Sequence, residues 1–410
     1  MTQALLSDMA TQRARPADGG LALGAAVLLL VPVLAYANAI GIAINVTAAT
    51  VVVALAVQAW YPIRDGQPIA FSVADAAMAV FVLTSSLHIL LSPMRLAGLP
   101  TAYVLHSFAL TVACPAAYLF GARFIRRATA AQCARIFHLG LALAALFIGS
   151  RLVWPDIIST DEIAKGSYYQ YAGDCLAGSA LVAYARSDRR GQVLALIVVL
   201  PVLLLLGSRA SLAAYGLALL ATRLLPWLLV AGSLLGAVVL SSLDWIGDLM
   251  PDFYDVSRTL TSLLLVLIEG NQDSSLSERE SFHEQALKII ADHPLWGEYS
   301  YDFRINGYEG GFAHSAIDLW AQFGVVTFLA FAAAILINPL LQRLGQLAVL
   351  PNPDKLAPRP LPLLLFLITQ FALFRHPESV PLFFCIGCLA HLPSGMPRRS
   401  VTEVLAPPGS

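Results

Sequence analysis

The sequence is short of charge. Aspartate, glutamate, lysine and arginine make up 12% of its 410 residues, whereas soluble globular domains carry about 25%. Hydrophobic residues make up 58%, which excludes an ordinary soluble domain and indicates an integral membrane protein. The formal net charge is -1, so no strongly basic field attracts nucleic acid, and we expect no nucleic-acid partner.

The sequence also lacks the short motifs of several common chemistries. It contains no D-x-D and no H-E-x-x-H, so nothing suggests a metal site. It contains no P-loop and no glycine-rich dinucleotide signature either. We therefore expect neither a metal nor a cofactor.

Cysteine is scarce, with five residues in the chain. Most of the five lie in apolar runs, which does not fit a disulfide framework. Cys385 and Cys388 form a C-x-x-C pair, but their apolar surroundings favour two small core residues over a redox pair.

What the sequence does contain is long apolar runs. A spanning helix needs roughly 20 apolar residues, and shorter ones are tolerated. The leucine and alanine content, with few alternating segments, favours helices over a barrel. We predict an all-α polytopic membrane protein with about twelve transmembrane helices, near residues 21–37, 41–60, 71–91, 101–120, 136–154, 170–185, 192–207, 209–224, 226–241, 314–338, 361–375 and 379–393.

The distribution of basic residues predicts the orientation. With the N-terminus in the cytoplasm, the predicted cytoplasmic segments hold most of the 25 lysines and arginines, as the positive-inside rule requires. One long loop, between helices 9 and 10, is then periplasmic. The predicted units are a cytoplasmic N-terminal tail, helices 1 to 9, the periplasmic loop domain, helices 10 to 12 and a cytoplasmic C-terminal tail, at 1–20, 21–241, 242–313, 314–393 and 394–410.

The first 37 residues allow an alternative. Two arginines, an apolar run and the sequence "AYA" at 35–37 are typical of a secretory signal with a cleavage site. Cleavage there would leave the orientation of the later loops unchanged.

The periplasmic loop contains a predicted helix. Residues 277–297 read "SERESFHEQALKIIADHPLWG", with apolar residues at helical spacing. Ser277 and Glu280 fit a capping box, and Pro294 ends the pattern.

Three residues on the predicted outer face could carry chemistry: Arg209, Arg279 and His314. Arg209 interrupts an apolar run, and a guanidinium in hydrocarbon costs about 2.5–3.5 kcal/mol on insertion scales. Arginines at an outer membrane surface suit a phosphate or diphosphate, which they grip with paired hydrogen bonds. A histidine nearby can move a proton near neutral pH.

Simpler roles for these residues remain open. Arg209 could extend to the lipid headgroups, Arg279 could be a solvated surface charge, and His314 could cap a helix. The further candidates for substrate binding are Arg304 and Tyr301 in the long loop and Arg375 in the last outer loop, "FRHPES". Aromatic residues of the loop could stack on sugar rings or form an interfacial belt.

The order of three motifs resembles a known family. "GSRAS" (Gly207 to Ser211) opens a span, an arginine begins a helix that ends in "DHPLWG" (Asp292 to Gly297), and "FAHSAIDLWAQFGVVTFLAF" (Phe312 to Phe331) begins a later span. This order resembles the bacterial O-antigen ligase and O-antigen polymerase superfamily, which includes exopolysaccharide polymerases. The resemblance covers roughly residues 190–335 in motif and the whole chain in layout.

The resemblance implies a metal-independent glycosyltransferase in the bacterial inner membrane with a periplasmic active site. Its donor would be an oligosaccharide linked to undecaprenyl diphosphate, its acceptor a glycan or lipid A core, and its surroundings membrane lipids. Arg209 and Arg279 would hold the diphosphate, and His314 would position or deprotonate the acceptor hydroxyl. The family often has His-Asn where this chain has His314-Ser315, and Gly324 corresponds to a helix-packing position.

Three functions remain open at this point. The first is polymerisation of lipid-linked glycan repeats, and the second is ligation of a finished glycan to lipid A core. The third is a polysaccharide or lipid transporter, which should carry ionisable residues deep in several spans; Asp75 and Asp174 are the few candidates. No repeated halves, which many transporters have, are visible in the sequence.

Overall fold

The described part of the chain is helical. The computed structural model describes residues 72–95, 99, 101–153, 162–186, 191–206, 208–220, 274–306, 315–348, 360–374 and 379–392. Within these residues all secondary structure is helical. Three of the helices contain stretches long and apolar enough to cross a membrane: Val73–Ser92, Ala130–Gly149 and Ile317–Leu341. The described residues therefore fit an all-α membrane protein, as predicted.

Nine of the predicted spans overlap helices. The spans predicted at 21–37, 41–60 and 226–241 lie outside the described residues, so the count of twelve and the full extent of the long loop stay predictions. The helices are α1 Val73–Arg95, α2 Thr101–Arg127, α3 Ala130–Val153, α4 Glu162–Arg186, α5 Gly191–Leu206, α6 Arg209–Leu220, α7 Ser274–Asp292, α8 Tyr301–Asn306, α9 Ile317–Ala348, α10 Leu361–Thr369, which a π turn continues over Gln370–Phe374, and α11 Val380–Ala390.

Several helices are longer than the apolar runs that predicted them. α4 begins at Glu162 rather than near residue 170, and α2 continues to Arg127 rather than ending near residue 120. Hydropathy marks the stretch that can lie in hydrocarbon. Backbone hydrogen bonds between residues four apart need no apolar side chains, so a helix can continue past that stretch.

The packing of α2 against α11 depends on glycine. A Cβ atom on Gly121 would lie 2.1 Å from the carbonyl oxygen of Phe384, and one on Gly387 would lie 2.0 Å from that of Tyr118. The two backbones are therefore in direct contact at both glycines. Small residues at such contacts are typical of membrane helices, where close van der Waals packing drives association.

The C-x-x-C pair belongs to the same core. All five cysteines are buried and free. A Cβ on Gly178 of α4 would lie 2.4 Å from Cys385 Sγ, and Cys388 Sγ contacts the carbonyl of Gly121 at 3.5 Å. The prediction that Cys385 and Cys388 are small core residues is confirmed.

Aromatic rings join α9 to the π turn. The ring of Phe331 lies 4.9 Å from that of Phe371 in an edge-to-face arrangement, 5.5 Å from Phe81 of α1 and 5.7 Å from Phe383 of α11. These separations are in the favourable range for aromatic pairs. The cluster fixes the π turn against α9.

A polar cluster joins α1, α2 and α11 at the predicted cytoplasmic end. Asp75 Oδ1 accepts hydrogen bonds from Tyr118 Oη and His391 Nε2, both at 2.9 Å. Arg126 Nη2 donates to His391 Nδ1 at 2.6 Å. Since a guanidinium only donates, Nδ1 must accept, so the ring proton lies on Nε2 and points at Asp75.

Candidate functional site

The site begins with the turn that precedes Arg209. The backbone carbonyl of Ser208 accepts the N–H of Leu212 at 2.9 Å. α6 therefore begins directly after Ser208, at Arg209. Ser208 Oγ donates to Ser211 Oγ at 2.8 Å, and Ser211 Oγ donates to Asp174 Oδ1 at 2.7 Å. Both serines are buried. The serines of the "GSRAS" motif therefore point into the bundle and connect the start of α6 to α4.

Asp174 gathers donors from three other segments. Besides Ser211, Gln370 Nε2 of the π turn donates to Oδ1 at 3.1 Å, and Ser379 Oγ, just before α11, donates to Oδ2 at 3.3 Å. Asp174 is 1% exposed, and none of these three partners exceeds 5%. A buried carboxylate is costly without such hydrogen bonds. We call Asp174, Ser208, Ser211, Gln370 and Ser379 the outer polar network, because they lie at the end of the bundle that the charge distribution predicts to be periplasmic.

Gly173 allows α4 to approach this turn. A Cβ at position 173 would lie 2.5 Å from Ser208 Oγ and 2.9 Å from Ser211 Oγ. Those distances are too short for any larger residue without displacing both serines. Gly173 therefore leaves room for the turn before Arg209, and the neighbouring Asp174 provides the hydrogen-bond acceptor for it.

The start of α9 is joined to the π turn. The backbone N–H of Ala316 donates to the carbonyl of Phe371 at 2.5 Å. Ser315 precedes Ala316, and Gln370 precedes Phe371. Ser315 Oγ and Gln370 Oε1 are buried and have no hydrogen-bond partner among the described residues. Ser315 follows His314 in the sequence, and the π turn ends at Phe374, directly before Arg375.

The loop helix packs on α9. α7 covers Ser274–Asp292, and its Ala286 and Ile289 form a small cluster with Tyr301 and Ala321. Because α7 begins at Ser274, Ser277 lies inside the helix and the predicted capping box is wrong. The sequence contains two overlapping S-x-x-E patterns, one from Ser275 to Glu278 and one from Ser277 to Glu280. The second, on which the prediction relied, lies about one turn inside the helix and does not mark its start.

The "DHPLWG" turn docks at a kink in α9. Gly324 has φ 77° and ψ 174° and interrupts the helix. A Cβ on Gly324 would lie 2.1 Å from the carbonyl oxygen of Leu295. The backbone N–H of Glu298 donates to the carbonyl of Ala321 at 2.6 Å, which satisfies one carbonyl near the interruption. The predicted packing role of Gly324 is confirmed, although its partner is this turn rather than another helix.

Two of the predicted substrate-binding residues, Tyr301 and Arg304, contact other residues of the protein. Tyr301 is fully buried, and its Oη donates to Asp318 Oδ1 at 2.6 Å, which holds α8 against α9. The Arg304 side chain is about half exposed and pairs with Glu298, with Nη2 2.9 Å from Oε2. These two side chains are thus engaged by protein partners.

The remaining candidates are described in part. Arg209 is the first residue of α6, and Arg279 lies in the second turn of α7; only their backbone is described. His314 and Arg375 lie outside the described residues. The sequence identifies Asp174 only as an ionisable residue in a span, and it does not indicate the partners Ser211, Gln370 and Ser379. The signal that could have found Ser211 is the serine pair three apart around Arg209, which places two hydroxyls on one side of the turn.

The fold and the outer polar network define a polytopic helical membrane protein with a polar site at one end of its bundle. A family profile described as O-antigen ligase matches residues 176–332. The matched range contains the "GSRAS" turn, the docked "DHPLWG" turn and the kink at Gly324. The match confirms the resemblance to the O-antigen ligase and O-antigen polymerase superfamily. No curated protein sequence matches the chain.

Proposed function

We propose that this protein is a glycosyltransferase that extends or transfers a glycan carried on undecaprenyl diphosphate at the periplasmic face of the bacterial inner membrane. The observation that carries the proposal is the outer polar network. It joins the turn before Arg209 to the π turn that precedes Arg375, and the π turn is bonded to the turn that follows His314. Segments far apart in sequence thus meet beside the turn that precedes Arg209, which supports the proposal of one site there.

The proposed reaction is a displacement at the anomeric carbon. The acceptor hydroxyl forms the new C–O bond as the bond to the phosphate oxygen breaks, and undecaprenyl diphosphate leaves. His314 takes the hydroxyl proton. Arg209 and Arg279 stabilise the charge that develops on the diphosphate.

We propose polymerisation as the reaction, with a growing glycan as the acceptor. Ligation to lipid A core would use the same donor and the same three residues, because only the acceptor differs. Polymerisation and ligation can be distinguished by whether the purified protein forms product from the donor alone or only when lipid A core is added.

The test is a reconstitution assay. Purified protein is mixed with an undecaprenyl-diphosphate-linked oligosaccharide, with and without lipid A core, and the products are sized on a gel. Longer chains from donor alone are expected of a polymerase, and product only with core would instead establish a ligase. No transfer under any condition would contradict the proposal and favour a transporter.

Three variants test the site in the same assay. Arg209→Ala and Arg279→Ala should each lower kcat by about 100-fold or more, as loss of a group that stabilises developing charge does. His314→Ala should lower it by about 100-fold to 10,000-fold, as loss of a general base does. Arg135→Ala is the matched control, since Arg135 is exposed on α3 in a predicted cytoplasmic segment. Full activity in all three site variants would contradict the assignment.

A further inference from the structure

We propose that Asp174 is a positioning residue for the glycosyl transfer, acting through Arg209. Its carboxylate fixes the serine turn from which Arg209 begins α6. The proposal rests on the proposed function and adds to it a residue outside the family match, which starts at residue 176.

Asp174 is hydrogen-bonded to the serine turn that precedes and follows Arg209. Its Oδ1 accepts from Ser211 Oγ at 2.7 Å, and Ser211 in turn accepts from Ser208 Oγ at 2.8 Å. Ser208 and Ser211 lie on either side of Arg209 in the sequence. A carboxylate that fixes both serines therefore fixes the direction in which the backbone of Arg209 leaves the turn, and Gly173 holds α4 close enough for this contact.

The same carboxylate connects Arg209 to the acceptor side. Gln370 Nε2 donates to Oδ1 at 3.1 Å, and the next residue, Phe371, accepts the N–H of Ala316 at the start of α9. Donor-binding and acceptor-activating segments are thus held in one frame by a group that is 1% exposed. Because reaction rates depend steeply on such alignment, a small shift of the turn lowers the rate without unfolding the bundle.

The site favours an aspartate over its closest substitutes. Asparagine has nearly the same shape and can keep an oxygen towards Ser211 and Gln370, but it removes the negative charge that strengthens those hydrogen bonds. Glutamate keeps the charge but moves it by one methylene in a region where Gly173 already leaves no space. Asp174→Asn is therefore the substitution that disturbs the fold least while it weakens the hold on the turn.

The experiment is a double-mutant cycle on transfer rate. Asp174→Asn, Arg209→Lys and the double variant are purified, and initial rates are measured against donor and acceptor concentration. We expect Asp174→Asn to lower kcat/KM for the donor about tenfold in the unmodified background and less than about twofold in the Arg209→Lys background, as expected for coupled residues.

Two further variants complete the design. Ser211→Ala removes one hydrogen bond to Asp174 and should give the same pattern with a smaller loss, so it tests the proposal if Asp174→Asn does not fold. Asp75→Asn is the matched control, because Asp75 is a buried aspartate in a polar cluster at the other end of the bundle. It should lower thermal stability but leave kcat/KM per folded protein unchanged.

The outcomes separate this proposal from the function on which it rests. No transfer by the unmodified protein overturns both. Transfer that depends on Arg209 but is unchanged by Asp174→Asn and by Ser211→Ala overturns only the positioning role. Losses that multiply independently in the double variant, or an equal loss in Asp75→Asn, also overturn it, because they indicate general damage to the fold.

Discussion

Polar side chains inside the bundle are used to fix helix ends. Ser72 precedes α1, and its Oγ accepts the N–H of Asp75 at 3.2 Å, while the carboxylate of Asp75 accepts the N–H of Ser72 at 2.7 Å. This reciprocal pair is a capping box with aspartate as its second member. The same aspartate accepts from Tyr118 and His391, so one residue caps α1 and binds it to two other helices.

Removing this cap should destabilise the protein measurably. Ser72→Ala is expected to lower the free energy of unfolding by about 1 kcal/mol, the usual effect of losing a serine cap. Ser86→Ala, on a half-buried position of the same helix, is the control and should change it by less than about 0.5 kcal/mol. Thermal unfolding in detergent, followed by tryptophan fluorescence, gives the comparison. Equal midpoints for the two variants would show that the cap contributes nothing.

Tyr301 shows what single residues in a sequence leave open. An aromatic residue in an outer loop fits sugar stacking, an interfacial belt or burial equally well. Its burial depends on Asp318, 17 residues further along the chain, whose carboxylate also accepts from Gln322 at 2.6 Å. Contacts of this kind become visible only when the helices are packed together.

Among the elements, the docked turn and the kinked helix depend on each other. Trp320 of α9 donates from Nε1 to the carbonyl of Pro294 at 2.8 Å, and Glu298 donates to Ala321. The backbone at Gly324, with φ 77° and ψ 174°, is a conformation that residues with a side chain almost never adopt. The "DHPLWG" turn and α9 therefore meet only if position 324 is glycine.

Gly324→Ala should release the turn from α9. The new methyl group would collide with the Leu295 carbonyl, and the backbone conformation would cost about 1–3 kcal/mol more. We expect faster amide hydrogen exchange and faster proteolysis at residues 292–298, along with a lower unfolding temperature. Gly149→Ala is the control, because a Cβ there meets no atom within 4 Å. Protection at 292–298 that matches the unmodified protein would contradict the docking argument.

The elements themselves were largely predictable from sequence, and their contacts were not. Apolar runs located α1, α3 and α9, because the part of a helix that lies in hydrocarbon must be predominantly apolar. The outer polar network joins residues up to 205 positions apart, which no local pattern encodes. The family motifs pointed to Arg209 but not to Asp174, which is a single charge in an apolar stretch.

On the scale of the whole molecule, α11 lies between two polar clusters. Ser379, just before it, donates to Asp174, and His391, just after it, donates to Asp75. Its 11 residues extend only about 16 Å, well short of the roughly 30 Å of hydrocarbon in a bilayer. Every residue of α11 is buried, so it is surrounded by other helices rather than by lipid. Asp75 and Asp174, the few candidates for the ionisable residues that a transporter would need, both anchor this central helix.

The anchoring of α11 also relates the two clusters to the predicted orientation. Arg126 and His391 lie at the end that the charge distribution predicts to be cytoplasmic, and Asp174 and Ser379 lie at the other end. A polar site for a lipid-linked donor must open on the face where that donor is presented. The orientation of the whole chain is therefore the property on which the proposed reaction depends most directly.

Cysteine labelling can determine that orientation. The native cysteines are all buried, so a cysteine placed at an exposed position should react well above background. Glu284→Cys on α7 should react with a membrane-impermeant maleimide when only the outer membrane is permeabilised, because α7 belongs to the predicted periplasmic loop. Arg135→Cys, exposed on α3, should react only after the inner membrane is opened, and the unsubstituted protein gives the background. The reverse pattern would place the outer polar network on the cytoplasmic side, where a donor presented in the periplasm could not reach it.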